Sequence, residues 1–143
     1  MTDGTVLGIG VDLVETGRMQ ESVERWGDRF IARIFGAAER RYCDDKPEPW
    51  RHYAGRFAVK EAVSKAFGTG IGAQIGWLDI EVARASSSGA PSVRLHGRGA
   101  ELARVRGVAR VLVSLSHTRR YAVAQAVLLG TPPGEGQNKE GAG

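Results

Sequence analysis

The sequence predicts an α+β domain: a curved, mostly antiparallel sheet packed against one long central helix, with short helices ahead of it. Three observations carry this. An apolar run opens the chain at Val6–Leu13, residues 51–67 hold the longest helical pattern, and residues 108–129 hold two β-rich runs joined by a polar HTRR.

The elements follow in chain order. VLGIGVDL is rich in Val, Ile and Leu and reads as a buried strand, interrupted by Gly8 and Gly10 and carrying Asp12 near its end. Thr16 is an N-cap candidate for a helix with Met19, Val23 and Trp26 at helical spacing, stopped by Gly27. Asp28 caps a second short helix through Phe30, Ile31, Ile34 and Phe35, and a third covers about 37–43. DDKPEPW is a turn. Residues 51–67 form the long helix, with Gly68 as its C-cap and GTGIG as a glycine loop. Leu78–Ala85 alternates as a strand, SSSGAPS turns, and Ser92–His96 returns as its partner. Gly97–Arg106 is a short helix. Val108–His117 and Tyr121–Leu129 make a hairpin. Residues 1–130 are read as one domain, and 131–143, rich in Gly and Pro, as a disordered tail.

Composition narrows the function. The chain has 143 residues, 42% hydrophobic and 25% charged, which is globular and excludes a coiled coil. The single cysteine excludes an internal disulfide or a CxxC zinc site and fits a reducing compartment. No apolar run approaches the roughly 18 residues of a membrane span, and MTDGTVLGIG lacks the parts of a secretory signal. A soluble cytoplasmic protein is expected. The net charge is +4, with 20 basic residues against 16 acidic, and most of the cations are arginines. That excess points to an anionic partner.

On a helical wheel, Ala54, Ala58, Val59, Ala62, Val63 and Ala66 share one half of the long helix. Arg56, Lys60, Glu61, Ser64 and Lys65 share the other, with Phe57 among them. A solvated face with a Glu61–Lys65 pair would account for that half. Clustered cations running into Gly68, Gly70 and Gly72 would instead suit a phosphate. Asp12, on an apolar strand, needs a partner, either a cap or a cation. Paired with Glu61 it could hold magnesium, which takes few carboxylates and keeps phosphate oxygens and waters. His117 ends SLSH. Without a GxSxG elbow, a serine hydrolase is discounted. His52 and His96 read as ordinary.

GIGVDLVE at 8–15, FAVKEAVSKAFGTGIG at 57–72 and LSHTRRYAVAQAV at 115–127 together resemble the small single-domain 4′-phosphopantetheinyl transferases, the holo-[acyl-carrier-protein] synthases. The resemblance covers about residues 6–128. It implies the fold of that family and a magnesium-dependent reaction of fatty acid biosynthesis. Coenzyme A gives its 4′-phosphopantetheine arm to a serine of an acidic apo acyl carrier protein, leaving adenosine 3′,5′-bisphosphate. It also implies a homotrimer with sites at subunit interfaces.

By position, the resemblance makes Asp12 and Glu61 the metal ligands and Lys65 a pyrophosphate contact that offsets developing charge. Arg56, Lys60 and Ser64 become coenzyme A phosphate contacts, Gly68, Thr69 and Gly70 the nucleotide loop, and Pro91 an adenine-side contact. His117 and Thr118 would meet the phosphates from the neighbouring subunit. Either Glu61, directly or through a water, or His117 would be the general base. Arg18, Ser22 and Arg25, at i, i+4 and i+7 with Met19 beside them, form a basic strip suited to an acidic carrier helix. A nucleic-acid module would need exposed aromatics among its cations, and only 7% of residues are aromatic. An inactive interaction protein of the same fold would be expected to lack Asp12, Glu61 or Lys65, and all three are present. Neither nucleic acid nor membrane is expected as a partner.

Overall fold

Alternation along the first strand sets the architecture. In β1 (Val6–Glu15), Gly8, Gly10, Asp12 and Val14 turn inward while Leu7, Ile9, Val11 and Leu13 stay exposed. The strand is therefore buried on one face within the chain, not on both. The structure, a computed structural model, describes residues 4–85 and 87–131. The expected tail at 131–143 lies outside it apart from Thr131.

β1 leads into α1 (Thr16–Ile34), α2 (Ala37–Asp44) and α3 (Pro49–Ala66). A 3-10 turn at Trp77–Asp79 precedes the hairpin β2 (Ile80–Arg84) and β3 (Pro91–Leu95), then α4 (Gly97–Arg106), β4 (Val108–His117) and β5 (Tyr121–Gly130). All strand pairs are antiparallel. One sheet has the order β1-β5-β4 and β2-β3 forms a second, so the expected α+β class holds. Within α1, Gly27 leaves helical geometry (φ 67°, ψ −153°), so two helical pieces meet at a kink where the sequence suggested a stop. Thr16 does not cap it. Its Oγ1 donates to Arg119 O at 2.7 Å and its N–H to Arg120 O, tying the start of α1 to the β4–β5 turn. The 3-10 turn was not legible, since three residues carry no period.

α3 is the centre of the molecule. One side packs on β1, β5 and β4, building a core of Ala58, Val59, Ala62, Val63, Ala124, Ala126 and Leu128. The other is covered by α1 and α2, around Phe35, Cys43 and Tyr53. Small residues let helix and strand approach closely. A Cβ on Gly10 would lie 2.0 Å from Ala62 O and 2.7 Å from Ala66 N, both backbone atoms that cannot swing aside. The glycine therefore admits α3 and does not interrupt the strand. Gly10→Ala is expected to cost about 3 kcal/mol in urea unfolding and to lower activity, because it drives Asp12 away from α3. A stability within a few tenths of a kcal/mol of wild type would contradict this close packing.

Candidate active site

Three residues of the predicted set come together where β1 crosses the last turns of α3. Asp12 points inward from the strand, and Glu61 and Lys65 stand one helical turn apart. Lys65 Nζ donates to Asp12 Oδ1 at 2.8 Å. That hydrogen bond, with the neighbouring carboxylates, raises the Lys65 pKa and keeps the ammonium charged. Glu61 is half-buried. Burial first, and then the Asp12 charge, push its carboxyl above the ordinary range, while Lys65 works the other way. Two carboxylates share one ammonium, so the group keeps negative charge and unshared oxygen lone pairs.

Asp12 and Glu61 line a cleft of about 720 Å³, and Lys65 holds Asp12 from outside that lining. The same cleft is lined by Arg18, Met19, Ser22 and Arg33 of α1 and by Phe57, which stacks on Trp77 at 4.9 Å. Arg18 and Ser22 thus face the same space as Asp12 and Glu61, with buried Met19 behind them. Arg25 is not in the lining and lies over the Trp26 ring at 4.9 Å.

The rest of the expected phosphate set is placed differently. Lys60 is fully buried, its Nζ donating to Glu39 Oε1 at 2.9 Å and to the carbonyls of Ile34, Trp77 and Ile80 at 2.9, 3.0 and 2.7 Å. An ammonium has three donors. Those of Lys60 are spent, and the side chain ties α1 and the 3-10 turn to α3 in place of a phosphate contact. Glu39 completes this hub by accepting from Gly36 N–H and Val82 N–H. Ser64 is equally buried and its hydroxyl donates to Glu61 O at 2.8 Å. The polar half of the wheel is thus not a solvated face: of its cations only Lys65 is exposed.

Arg56, His117 and Thr118 belong to a second patch. The Arg56 guanidinium sits 3.9 Å from the Tyr42 ring centroid, with Lys46 at 4.5 Å and Arg84 at 5.5 Å. Among the described residues none of these three cations pairs with a carboxylate, and the buried Arg56 Nε has no partner. His52 stands between Tyr42 and His117, 5.9 Å from each ring. Its pKa is lowered by burial, and then by His117 and the nearby cations. Thr118 closes the β4–β5 turn, its N–H donating to Tyr121 O and its hydroxyl accepting from Tyr121 N–H. Without a paired carboxylate among the described residues, the patch carries positive charge, which attracts anions. Tyr42, Lys46, His52 and Arg84 were not legible, because α2, the following loop, α3 and β2 each supply one of them. Within one chain the patch joins His52, near the start of α3, to His117 at the end of β4, two strands from β1, and His117 does not line the Asp12–Glu61 cleft.

Gly68, Thr69 and Gly70 continue from α3. Gly68 and Gly70 have φ of 79° and 65°, and the Thr69 and Gly70 N–H groups both return to Ser64 O. Pro91 begins β3 and lines a separate cleft between that strand and β4.

The comparisons bear on this arrangement directly. Residues 8–126 match the model of the 4′-phosphopantetheinyl transferase superfamily. A holo-[acyl-carrier-protein] synthase of Koribacter versatilis is 45% identical over 123 residues, covering 86% of this chain and 98% of the relative. Two solved structures superpose over nearly their whole length. The Helicobacter pylori holo-[acyl-carrier-protein] synthase in complex with coenzyme A has a TM-score of 0.75 at 32% identity, covering 84% of this chain and 98% of that one. The Bacillus anthracis enzyme in complex with CoA (3′,5′-ADP) has 0.72 at 34%, covering 88% and 98%. The matched span runs from the strand that carries Asp12, through the helix of Glu61 and Lys65, to the final hairpin, so both patches lie inside it. By that match the chain belongs to the 4′-phosphopantetheinyl transferase superfamily.

Proposed function

We propose that this chain transfers the 4′-phosphopantetheine arm of coenzyme A to a serine hydroxyl of an apo acyl carrier protein, releasing adenosine 3′,5′-bisphosphate with the help of Mg2+. The observation that carries the reading is that Asp12, held by Lys65, and Glu61 line a cleft that Arg18 and Arg33 also line. The carrier serine forms a new O–P bond while the P–O bond to the nucleotide breaks. Lys65 offsets charge on the pyrophosphate. Glu61 is the proton acceptor candidate within the cleft, since burial and Asp12 raise its basicity. His117 could serve only from another subunit.

The donor set fits magnesium. Asp12 and Glu61 offer hard carboxylate oxygens, the few protein ligands that magnesium takes beside phosphate oxygens and waters. Bound there, the ion would neutralise pyrophosphate charge and favour the leaving group.

Two features support a trimer in which one subunit completes another's site. The outer sheet face is apolar and open, with Ile9 66%, Leu13 63% and Val11 58% exposed, an area that single-chain packing leaves uncovered. Arg56, His117 and Thr118 do not line the cleft of Asp12 and Glu61 in their own chain, as halves of a shared site would not. In this reading Arg56, His117 and Thr118 take coenzyme A phosphates from the neighbouring subunit, while Gly68, Thr69, Gly70 and Pro91 hold the nucleotide side. Among the described residues no helix is long and apolar enough to cross a membrane, and the only cysteine is a buried free thiol. We take the reaction as cytoplasmic and its carriers as those of fatty acid synthesis.

Chromatography of the small-molecule products tests the chemistry. Adenosine 3′,5′-bisphosphate should appear in equal amount to holo carrier and vanish when EDTA is added. Its formation at full rate in EDTA would contradict the metal assignment. Carrier docking is tested separately. Arg18 is exposed on the cleft rim, with only a loose 3.8 Å contact to Glu15. Arg18→Glu should raise the KM for carrier about tenfold or more and leave the KM for coenzyme A within about twofold. An equal rise in both would refute a docking role.

A further inference from the structure

Helix α4 has no part in the chemistry above, yet two of its arginines reach the glycine loop. Arg106, in its last turn, donates from Nη1 to Phe67 O at 2.8 Å. Arg98, in its first turn, donates from Nη1 to Ala73 O at 2.7 Å. Arg98 Nε also lies 3.6 Å from Asp79 Oδ2, the oxygen that accepts the Gly76 N–H at 2.7 Å. The segment from Phe67 to Gly76 is therefore held at both ends by α4 and its partner carboxylate.

Inside the segment the backbone is turned the same way. Thr69 and Gly70 N–H donate to Ser64 O, and Gly72 N–H donates to Ile75 O. With the two arginine bonds, the carbonyls of Ser64, Phe67, Ala73 and Ile75 are all engaged. A free carbonyl repels a phosphate, so each one tied back removes a repulsive group, and because the Gly68, Thr69, Gly70 and Gly72 N–H groups are spent on internal bonds too, what the loop offers a phosphate is its shape and its outer side. That side is open: a Cβ on Gly68, Gly70 or Gly72 would meet nothing within 4 Å. Gly68 and Gly70 are required by their positive φ, whereas Gly72 has neither positive φ nor a crowding neighbour. Glycine there leaves room for something outside the chain.

We infer that Arg98 and Arg106 are positioning residues, through which α4 braces the Phe67–Gly76 loop in the shape that admits the phosphates of its nucleotide substrate. The inference rests on the proposed role of this loop in binding coenzyme A. Both arginines are exposed, so neither is needed to fill the core and their replacement leaves the fold standing.

Arg98→Met, Arg106→Met and Arg106→Lys test it, measured beside wild type with coenzyme A and carrier varied in turn. Each Met variant should raise the KM for coenzyme A about tenfold, the effect of one lost charge-assisted hydrogen bond. The carrier KM should stay within about twofold, and Arg106→Lys should recover part of the loss. Backbone amides 68–76 should exchange faster in the Met variants. An unchanged coenzyme A KM overturns the inference, whether or not exchange quickens or the melting temperature falls. A wild-type chain that transfers nothing from coenzyme A overturns the underlying reading as well, and does so before any variant is made.

Discussion

Glu61→Gln should lose at least about a thousandfold in kcat while the protein becomes no less stable. The two halves of this expectation come from the same geometry. Glu61 is half-buried beside Asp12, and its carboxyl is held above the ordinary range by burial and by that neighbour's charge. A carboxyl whose pKa rises on folding is destabilising in its ionised form, so a neutral isostere removes a cost. In the proposed reaction, catalysis would need what stability does not, namely a second anionic oxygen donor facing the pyrophosphate and a proton acceptor in the cleft. A neutral amide at this position would be neither. Asp12→Asn should behave differently, because it also replaces the anionic partner of Lys65 at 2.8 Å by a neutral amide. Steady-state kinetics with thermal melts would separate these outcomes. A Glu61→Gln enzyme with near-normal turnover would remove Glu61 from the mechanism.

Val123→Glu should yield a folded monomer without activity, although Val123 touches none of the proposed catalytic groups. Val123 lies on the central strand β5, opposite Leu13 on β1 and Ser116 on β4, and is 38% exposed on the outer face. In a single chain a carboxylate there meets water and costs little. In a symmetric assembly it would be repeated in every copy of an apolar interface, and unpaired buried charge is strongly unfavourable. If the Arg56–His117 patch serves a neighbour's Asp12–Glu61 cluster, a monomer has both halves and no site. Light scattering would read the assembly and transfer assays the activity. A monomer of full activity would refute the shared site, and an intact trimer would refute this face as the interface.

The parts legible in the sequence share a physical basis. β4, β5 and α4 were readable because β-branched alternation and glycine punctuation are local signals. Glu61 and Lys65 could be placed together because spacing of four is a property of any helix. Asp12 stood out because a carboxylate on an apolar strand must be compensated. What failed were inferences about which neighbour covers which side. Lys60 and Lys65 occupy the same half of the α3 wheel, yet one is fully buried and the other exposed. That difference is made by Glu39 and by the carbonyls of Ile34, Trp77 and Ile80, none within helical range. The cations around Tyr42 are hidden for the same reason. Gly10 was visible as a glycine, but whether it interrupts a strand or admits a helix depends on Ala62 across the gap.

Intact-mass measurement of an apo acyl carrier protein, incubated with this chain, coenzyme A and Mg2+, tests the central claim most directly. The account predicts that the carrier gains the mass of one phosphopantetheine arm, that EDTA abolishes the gain, and that a carrier with its acceptor serine changed to alanine shows none. A carrier whose mass stays constant, with wild-type protein that is folded and trimeric, would contradict it.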